Sequence, residues 1–162
     1  MSHVVRAEAQ SSAPIETVWQ LLSTVDTWPT WSRHKVARLE RDGSPTPDGV
    51  GAIRVLGVDP SKPSKCNREE VVAFDAPTHF GYTLLSGQPL DDYRSDVRLF
   101  ALPSGGTRIT WESHFDTHRR TGWFWVLVVR WILKHWSADL AKGAEQLGSG
   151  PNRPRSTHGT SL

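Results

Sequence analysis

Few residues in this sequence are suited to acid–base chemistry, and they are widely spaced. Tyr82, Tyr93 and His135 are the candidate catalytic residues, because a phenol or an imidazole can exchange a proton with a bound molecule. His135 falls in an apolar helical pattern, where a single histidine is more often a packing residue with one satisfied nitrogen. These residue types identify no reaction, so the sequence leaves open whether the protein is an enzyme.

Motifs that would indicate a specific chemistry are missing from the sequence. It contains no glycine-rich phosphate loop, no His-Glu-x-x-His, no pair of cysteines and no Gly-x-Ser-x-Gly. His114 and His118 are four residues apart, a spacing that can hold a metal ion on a helix. They lie across the end of a predicted strand, however, and no third ligand is nearby. We therefore predict no metal site and no cofactor.

Another group of residues is better suited to binding than to catalysis. The eight tryptophans must either bury a large apolar area or surround a ligand. Several predicted strands also carry hydroxyl groups on apolar faces, where each hydroxyl needs a hydrogen-bond partner. The candidate ligand-binding residues are Trp28, Trp31, Tyr82, Tyr93, Ser95, Trp111, Ser113, Leu127 and Trp131. For Trp28 and Trp31, a role in the packed core is an equally good interpretation.

Seven strands are predicted from apolar residues that recur every second position. They cover residues 5–10, 35–42, 51–57, 65–74, 79–85, 91–101 and 107–115. In the last of them, Ile109, Trp111, Ser113 and Phe115 share one face. Because short turns and no helices separate the last six strands, we expect an antiparallel sheet with one face in water.

Helical spacing occurs near both ends of the chain. Ile15, Val18 and Leu22 predict a short helix that begins after Pro14, and residues 25–31 allow a second short turn. Residues 120–147 predict a long C-terminal helix with one continuous apolar stripe. A second stripe, formed by Phe124, Leu127, Trp131 and His135, is expected to widen the surface that faces the sheet. The fold class is therefore α+β, with a curved antiparallel sheet of about seven strands around the long helix and a short helix pair after the first strand.

Composition limits the domain organisation and the partners. The first 147 residues are expected to form one domain, and residues 148–162 a disordered tail rich in Gly, Pro, Ser and Thr. A net charge of +2, with basic and acidic residues alternating, argues against nucleic-acid binding. The N-terminus lacks a signal-peptide pattern, and no apolar run approaches the length of a bilayer span. We expect a cytoplasmic protein with at most peripheral membrane contact; its oligomeric state is open.

The order of the elements resembles the START-related superfamily, abbreviated SRPBCC, and within it the polyketide cyclase/dehydrase group. The segments that carry the resemblance are 13–22, 28–31, 48–55, 69–77 with Tyr82, and 105–112. Their order and spacing are more specific than any single segment. The resemblance implies a helix-grip (START-like) fold, with a cavity between the sheet and the long helix. Members of the group include polyketide aromatases and cyclases as well as lipid and hormone carriers.

Three functional hypotheses follow. The first is binding of a hydrophobic or aromatic small molecule, of lipid, polyketide or quinone type, in the internal cavity. The alternative is a polyketide aromatase/cyclase or dehydrase that acts in the same cavity. The third is an interaction protein at a membrane surface, with residues 123–125 as an interfacial anchor. We favour the third least, because those residues are expected to close the cavity.

Overall fold

One seven-stranded antiparallel sheet curves around the C-terminal helix in the computed structural model, which describes residues 1–149. The strands are β1 (Ser2–Ser11), β2 (Val36–Arg41), β3 (Ile53–Gly57), β4 (Asn67–Asp75), β5 (His79–Ser86), β6 (Asp91–Ala101) and β7 (Thr107–Asp116). The helices are α1 (Ile15–Ser23), α2 (Trp28–Trp31) and α3 (Gly122–Gly148), with single 3-10 turns at Val25–Thr27 and Pro63–Lys65. The strand order is β1-β7-β6-β5-β4-β3-β2. This architecture confirms the predicted fold class.

The concave face of the sheet is formed by the alternating residues that the sequence predicts. In β7, the side chains of Ile109, Trp111, Ser113 and Phe115 are all buried. The β6–β7 register places Ser95 opposite Ser113 and Val97 opposite Trp111, so the two strands present their inward residues side by side. Because side chains alternate between the two faces of a strand, only every second residue faces α3 and can be covered by it.

Helix α3 does not cover the sheet evenly, because it packs most closely against β1 and β7. The small residues Ala7 and Ala9 of β1 lie in that contact and allow the helix to approach. Gly143 has a similar role near α2, since a Cβ there would lie 2.5 Å from the Cβ of Trp31. The inward face of β5 and β6 instead carries the larger Tyr82 and Tyr93. As a result, space remains between the middle of the sheet and α3.

The apolar residues of α3 divide between an inner and an outer face. Val129, Leu133 and Leu140 are buried against the sheet, as the main stripe predicts. The second stripe differs from the expectation, because Leu127 and Trp131 are 54% and 52% exposed. A straight helix contacts a concave sheet along one stripe only. Leu127 and Trp131 lie roughly 140° and 180° around the helix from the centre of the buried stripe, so their side chains face outward.

The described part of the chain ends just beyond α3. The predicted tail, residues 148–162, falls outside it except for its first two residues; Gly148 is the last residue of the helix. Within residues 1–149, no helix has both the length and the apolar character needed to cross a bilayer.

Candidate functional site

A small cavity lies where α3 diverges from β4, β5 and β6. Its volume is about 70 Å³. The residues that line it are Asn67, Glu69, Leu84, Gln88, Tyr93, Val129, Ile132 and Trp136. A groove of about 300 Å³ lies beside it, shares Asn67, Gln88, Ile132 and Trp136 with it, and is also lined by Arg33, His34 and Trp131. Small-molecule sites usually occupy roughly 300–1,000 Å³, so the cavity and the groove together are the size of such a site.

A buried ion pair stands at the inner end of the cavity. Arg54 on β3 and Glu69 on β4 are directly opposite in the register, and both point to the concave face. Arg54 Nη2 donates a 2.7 Å hydrogen bond to Glu69 Oε2, and the two side chains are 0% and 2% exposed. Burial raises the pKa of Glu69, and the positive charge of Arg54 opposes that rise. The pair is thus a desolvated dipole inside an apolar core.

The remaining donors of Arg54 have no conventional partner. Its Nε and Nη1 atoms are buried and meet no hydrogen-bond acceptor within residues 1–149. The guanidinium carbon lies 4.7–5.2 Å from the ring centroids of Trp28, Phe80 and Tyr82, so the cation is held by aromatic faces. A cation enclosed in this way is stabilised but cannot reach solvent.

Glu69 separates this cation from the cavity. Its side chain lines the cavity, whereas Arg54 is fully buried behind it. Only Oε2 of Glu69 is used in the ion pair; Oε1 accepts no hydrogen bond from the described residues. The cavity therefore meets the negative end of the ion pair, and Oε1 is able to accept a hydrogen bond from a ligand.

A cluster of hydroxyl groups lies beside the cavity, and Tyr93 is the member of the cluster that lines it. The Tyr93 hydroxyl lies 3.2 Å from Ser95 Oγ and 3.0 Å from Ser113 Oγ. Trp111 Nε1 donates to Ser95 Oγ at 3.3 Å. Burial raises the pKa of Tyr93, so its phenol stays protonated. The nearby Tyr82 hydroxyl is buried and has no partner in hydrogen-bonding geometry among the described residues.

A tryptophan cluster packs beside the ion pair, and one of its members, Trp136, also lines the cavity and the groove. Its members are Trp28, Trp31, Trp111 and Trp136; the ring of Trp28 lies 4.7–6.3 Å from the other three rings. Trp28 Nε1 and Trp31 Nε1 each donate to a backbone carbonyl, of Leu22 and Leu21 respectively. Both indoles are therefore satisfied within the protein, as in a packed core.

A family model described as polyketide cyclase / dehydrase and lipid transport matches residues 2–148. The chain belongs to this family. No curated protein matches it. The family match confirms the resemblance that the sequence segments indicated, and it covers both the sheet and α3.

Solved structures of the same fold cover nearly the whole chain. A START superfamily protein from Mycobacterium smegmatis has 16% identity and a TM-score of 0.75, covering 90% of this chain and 99% of that one. A norcoclaurine synthase point mutant from Thalictrum flavum, in complex with a transition state analogue, has 12% identity and a TM-score of 0.72, covering 92% and 98%. Ara h 8.0201 has 17% identity and a TM-score of 0.68, covering 91% and 97%. At these identities the likeness shows the fold.

In this member of the polyketide cyclase/dehydrase family, the predicted site residues fall into separate groups. Tyr93 lines the cavity, with Ser95 and Ser113 behind it. Trp131 lines the adjoining groove. Leu127 lies on a different depression near the N-terminus of α3. The other predicted binding residues, Trp28, Trp31, Tyr82 and Trp111, are buried around the site without lining the cavity.

The remaining catalytic candidate, His135, lies away from the cavity. Its Nδ1 is 2.7 Å from the carbonyl oxygen of Trp131, and the two rings are 4.2 Å apart. Arg54 and the inward position of Glu69 are two features of the site that the sequence did not predict. One signal could have found Arg54: it stands alone as a charged residue among Ala52, Ile53, Val55 and Leu56.

Proposed function

We propose that this protein binds one hydrophobic or aromatic small molecule, of lipid, polyketide or quinone type, between the sheet and α3. The observation that carries the proposal is a mostly apolar cavity that has Glu69 and Tyr93 in its wall and continues, past Asn67 and Gln88, into a groove. Leu84, Val129 and Ile132 supply apolar contacts, whereas Glu69 and Tyr93 supply hydrogen-bonding groups. Ligand sites typically combine an apolar wall with a few placed polar groups.

The charges at the inner end favour a neutral ligand with a hydroxyl or phenol. Such a group can donate a hydrogen bond to Glu69 Oε1, the oxygen that Arg54 does not use. A carboxylate in the same position would face Glu69 at close range, and like charges repel strongly where water is excluded. Arg54 cannot receive the carboxylate instead, because Glu69 and three aromatic rings surround it.

Filling the cavity tests the proposal directly. The wild-type chain should bind an apolar naphthylamine fluorophore in a saturable, one-to-one manner. Leu84→Trp should reduce that affinity at least about tenfold, because the indole occupies the cavity. Leu85→Trp is the matched control, since Leu85 is the next residue of β5 and is 43% exposed. Equal affinities in the two variants, with both folded by thermal unfolding, would refute binding in this cavity.

A second candidate function is aromatase/cyclase or dehydrase chemistry in the same cavity. It is supported by the pair of Glu69 and Tyr93, because a carboxylate can accept a proton from a carbon flanked by carbonyls while a phenol donates a hydrogen bond to the carbonyl oxygen. Incubation with a linear poly-β-ketone would show aromatic absorbance if this chemistry occurs. Glu69→Gln should then lower the rate of product formation about 100-fold or more. If the wild-type chain forms no aromatic product, the enzymatic function is refuted and ligand binding remains as the proposed function.

A further inference from the structure

The outer face of α3 carries four large apolar side chains that the fold does not cover. Trp123, Phe124, Leu127 and Trp131 are 69%, 48%, 54% and 52% exposed. At 3.6 residues per turn they fall within about 100° of the helix circumference, so they form one stripe. Contiguous exposed apolar surface of this kind marks an interaction site, unlike single exposed residues.

The stripe is extended by a shallow depression where α3 begins. This depression has a volume of about 510 Å³ and lies between α3 and the start of β1. Its lining residues are Met1, His3, Arg119, Gly122, Trp123, Val126 and Leu127. Met1 is itself 72% exposed, which adds a further apolar side chain to this surface.

The residues around the stripe have charges of one sign. Arg119, Arg120, Arg130 and Lys134 are all exposed, and residues 117–138 contain no Asp or Glu. The nearest acidic residues in the sequence are Asp116 and Asp139, which lie outside this segment. Arg33 adds a further cation, 5.7 Å from the ring centroid of Trp131. The surface therefore combines aromatic side chains with a cationic rim and fits an anionic partner.

We propose that the outer face of α3 docks on an anionic lipid bilayer. Trp, Phe and Leu side chains on one side of an amphipathic helix enter the headgroup region, and flanking Lys and Arg bind anionic lipids. A second copy of the chain is a poorer occupant, because a two-fold interface would bring the same cationic rims together. This proposal goes beyond the proposed ligand binding, but the two surfaces meet: Trp131 belongs to the stripe and to the groove that leads to the cavity.

Co-sedimentation with vesicles tests the docking surface in the absence of any cavity ligand. The full chain should sediment with phosphatidylcholine vesicles that contain one third phosphatidylserine, and far less with pure phosphatidylcholine. The double variant Trp123→Ser/Leu127→Ser should lower the partition coefficient at least about tenfold, because two apolar side chains no longer leave water. Phe100→Ser is the control, since Phe100 is 41% exposed on the sheet.

Two double variants with the same change in net charge distinguish the contribution of the cationic rim to vesicle binding from the contribution of net charge. Arg119→Glu/Arg120→Glu should lower binding to the anionic vesicles at least about tenfold. Arg38→Glu/Arg98→Glu makes the same change in net charge on exposed sheet residues and should leave most of the binding intact. Equal losses in both double variants, or wild-type binding by Trp123→Ser/Leu127→Ser, would overturn the proposal.

Two further readouts distinguish the other outcomes. If the wild-type chain sediments as a dimer in sedimentation velocity and Trp123→Ser/Leu127→Ser sediments as a monomer, a second copy of the chain covers this face. That result would overturn the bilayer proposal. Naphthylamine binding should be unchanged in the same variant, because neither residue lines the cavity or the groove. Loss of vesicle binding with retained cavity binding is the expected combination, and it separates this inference from the proposed function.

Discussion

The tryptophan cluster and the ion-pair end of the cavity lie on the same concave face, yet they are built differently. In the tryptophan cluster, the indole N–H groups of Trp28 and Trp31 donate to backbone carbonyls. At the ion pair, two donors of Arg54 and the hydroxyl of Tyr82 have no partner within the described chain. Both regions are buried, so burial alone does not separate core from site.

We infer that unmet hydrogen-bonding capacity points to a binding site only beside a cavity, since Thr110 Oγ1 and Asp116 Oδ1 also lack a partner among the described residues but lie away from this one. A buried polar atom without a partner costs about 1–3 kcal/mol, so a region that served only for packing would have little reason to keep several. Replacing a buried ion pair by apolar residues is often neutral or stabilising. We therefore propose that Glu69, which lines the cavity, serves the proposed ligand binding and that Arg54 holds its carboxylate in place.

The largest loss of stability is expected from a substitution in the tryptophan cluster. Trp111→Ala should lower the free energy of unfolding by on the order of 3–5 kcal/mol, because it removes a fully buried indole that packs against Trp28 and Trp136. Urea unfolding measures the change. An unchanged midpoint would mean that this region is not a packed core.

Breaking the ion pair should cost somewhat less. Glu69→Ala leaves the Arg54 charge buried and unpaired, and we expect a loss of about 3 kcal/mol, the lower end of the usual range, because water in the cavity relieves part of it. The double variant Arg54→Met/Glu69→Leu should recover most of that loss. As a control, Glu8→Ala breaks the exposed pair with Arg6 and should change stability very little. A double variant as unstable as Glu69→Ala would show that the pair is needed for the fold itself.

The fold could be predicted from the sequence because its elements have clear periods. In β7, every second residue from Ile109 to Phe115 is apolar or small, and each is buried as expected. The face of Glu69 could not be predicted, since the β3–β4 register depends on the connection between them. The structure points Glu69 inward, whereas Arg68 points outward and pairs with Glu40.

The outer face of α3 was the other feature that the sequence did not resolve. Helical periodicity groups Leu127 with Trp131 but does not tell which apolar stripe the sheet covers. The two stripes differ in that the inner one continues to Ala144, whereas the outer one ends near Trp131. Only the path of α3 along β1 and β7 decides between them.

Acid should lower the free energy of unfolding through His34, which packs against Trp28 and Trp136 of the tryptophan cluster. Burial, and to a smaller extent the charge of Arg54, lowers the pKa of His34 to about 4. In the unfolded chain its pKa is near 6.5, so the unfolded state takes up a proton first as the pH falls. Stability is then complete above about pH 6.5 and decreases toward pH 4, by roughly 2–3 kcal/mol. Urea unfolding across this pH range should show that the free energy of unfolding falls less steeply for His34→Phe than for the wild type. If it falls equally in both proteins, His34 is not the cause.

The smallest change in stability but the clearest change in binding is expected from the two tyrosines, the only ones in the chain. Tyr93→Phe removes a hydroxyl at the cavity, whereas Tyr82→Phe removes a buried hydroxyl that does not line it. Each should alter the free energy of unfolding by about 1 kcal/mol or less. Only Tyr93→Phe should weaken naphthol binding, by about three- to tenfold, since one hydrogen bond is worth about 0.5–1.5 kcal/mol. Methylnaphthalene, which has no hydroxyl, should bind both variants equally. Equal naphthol affinities for the two variants would show that the cavity recognises shape and not the polar end of its ligand.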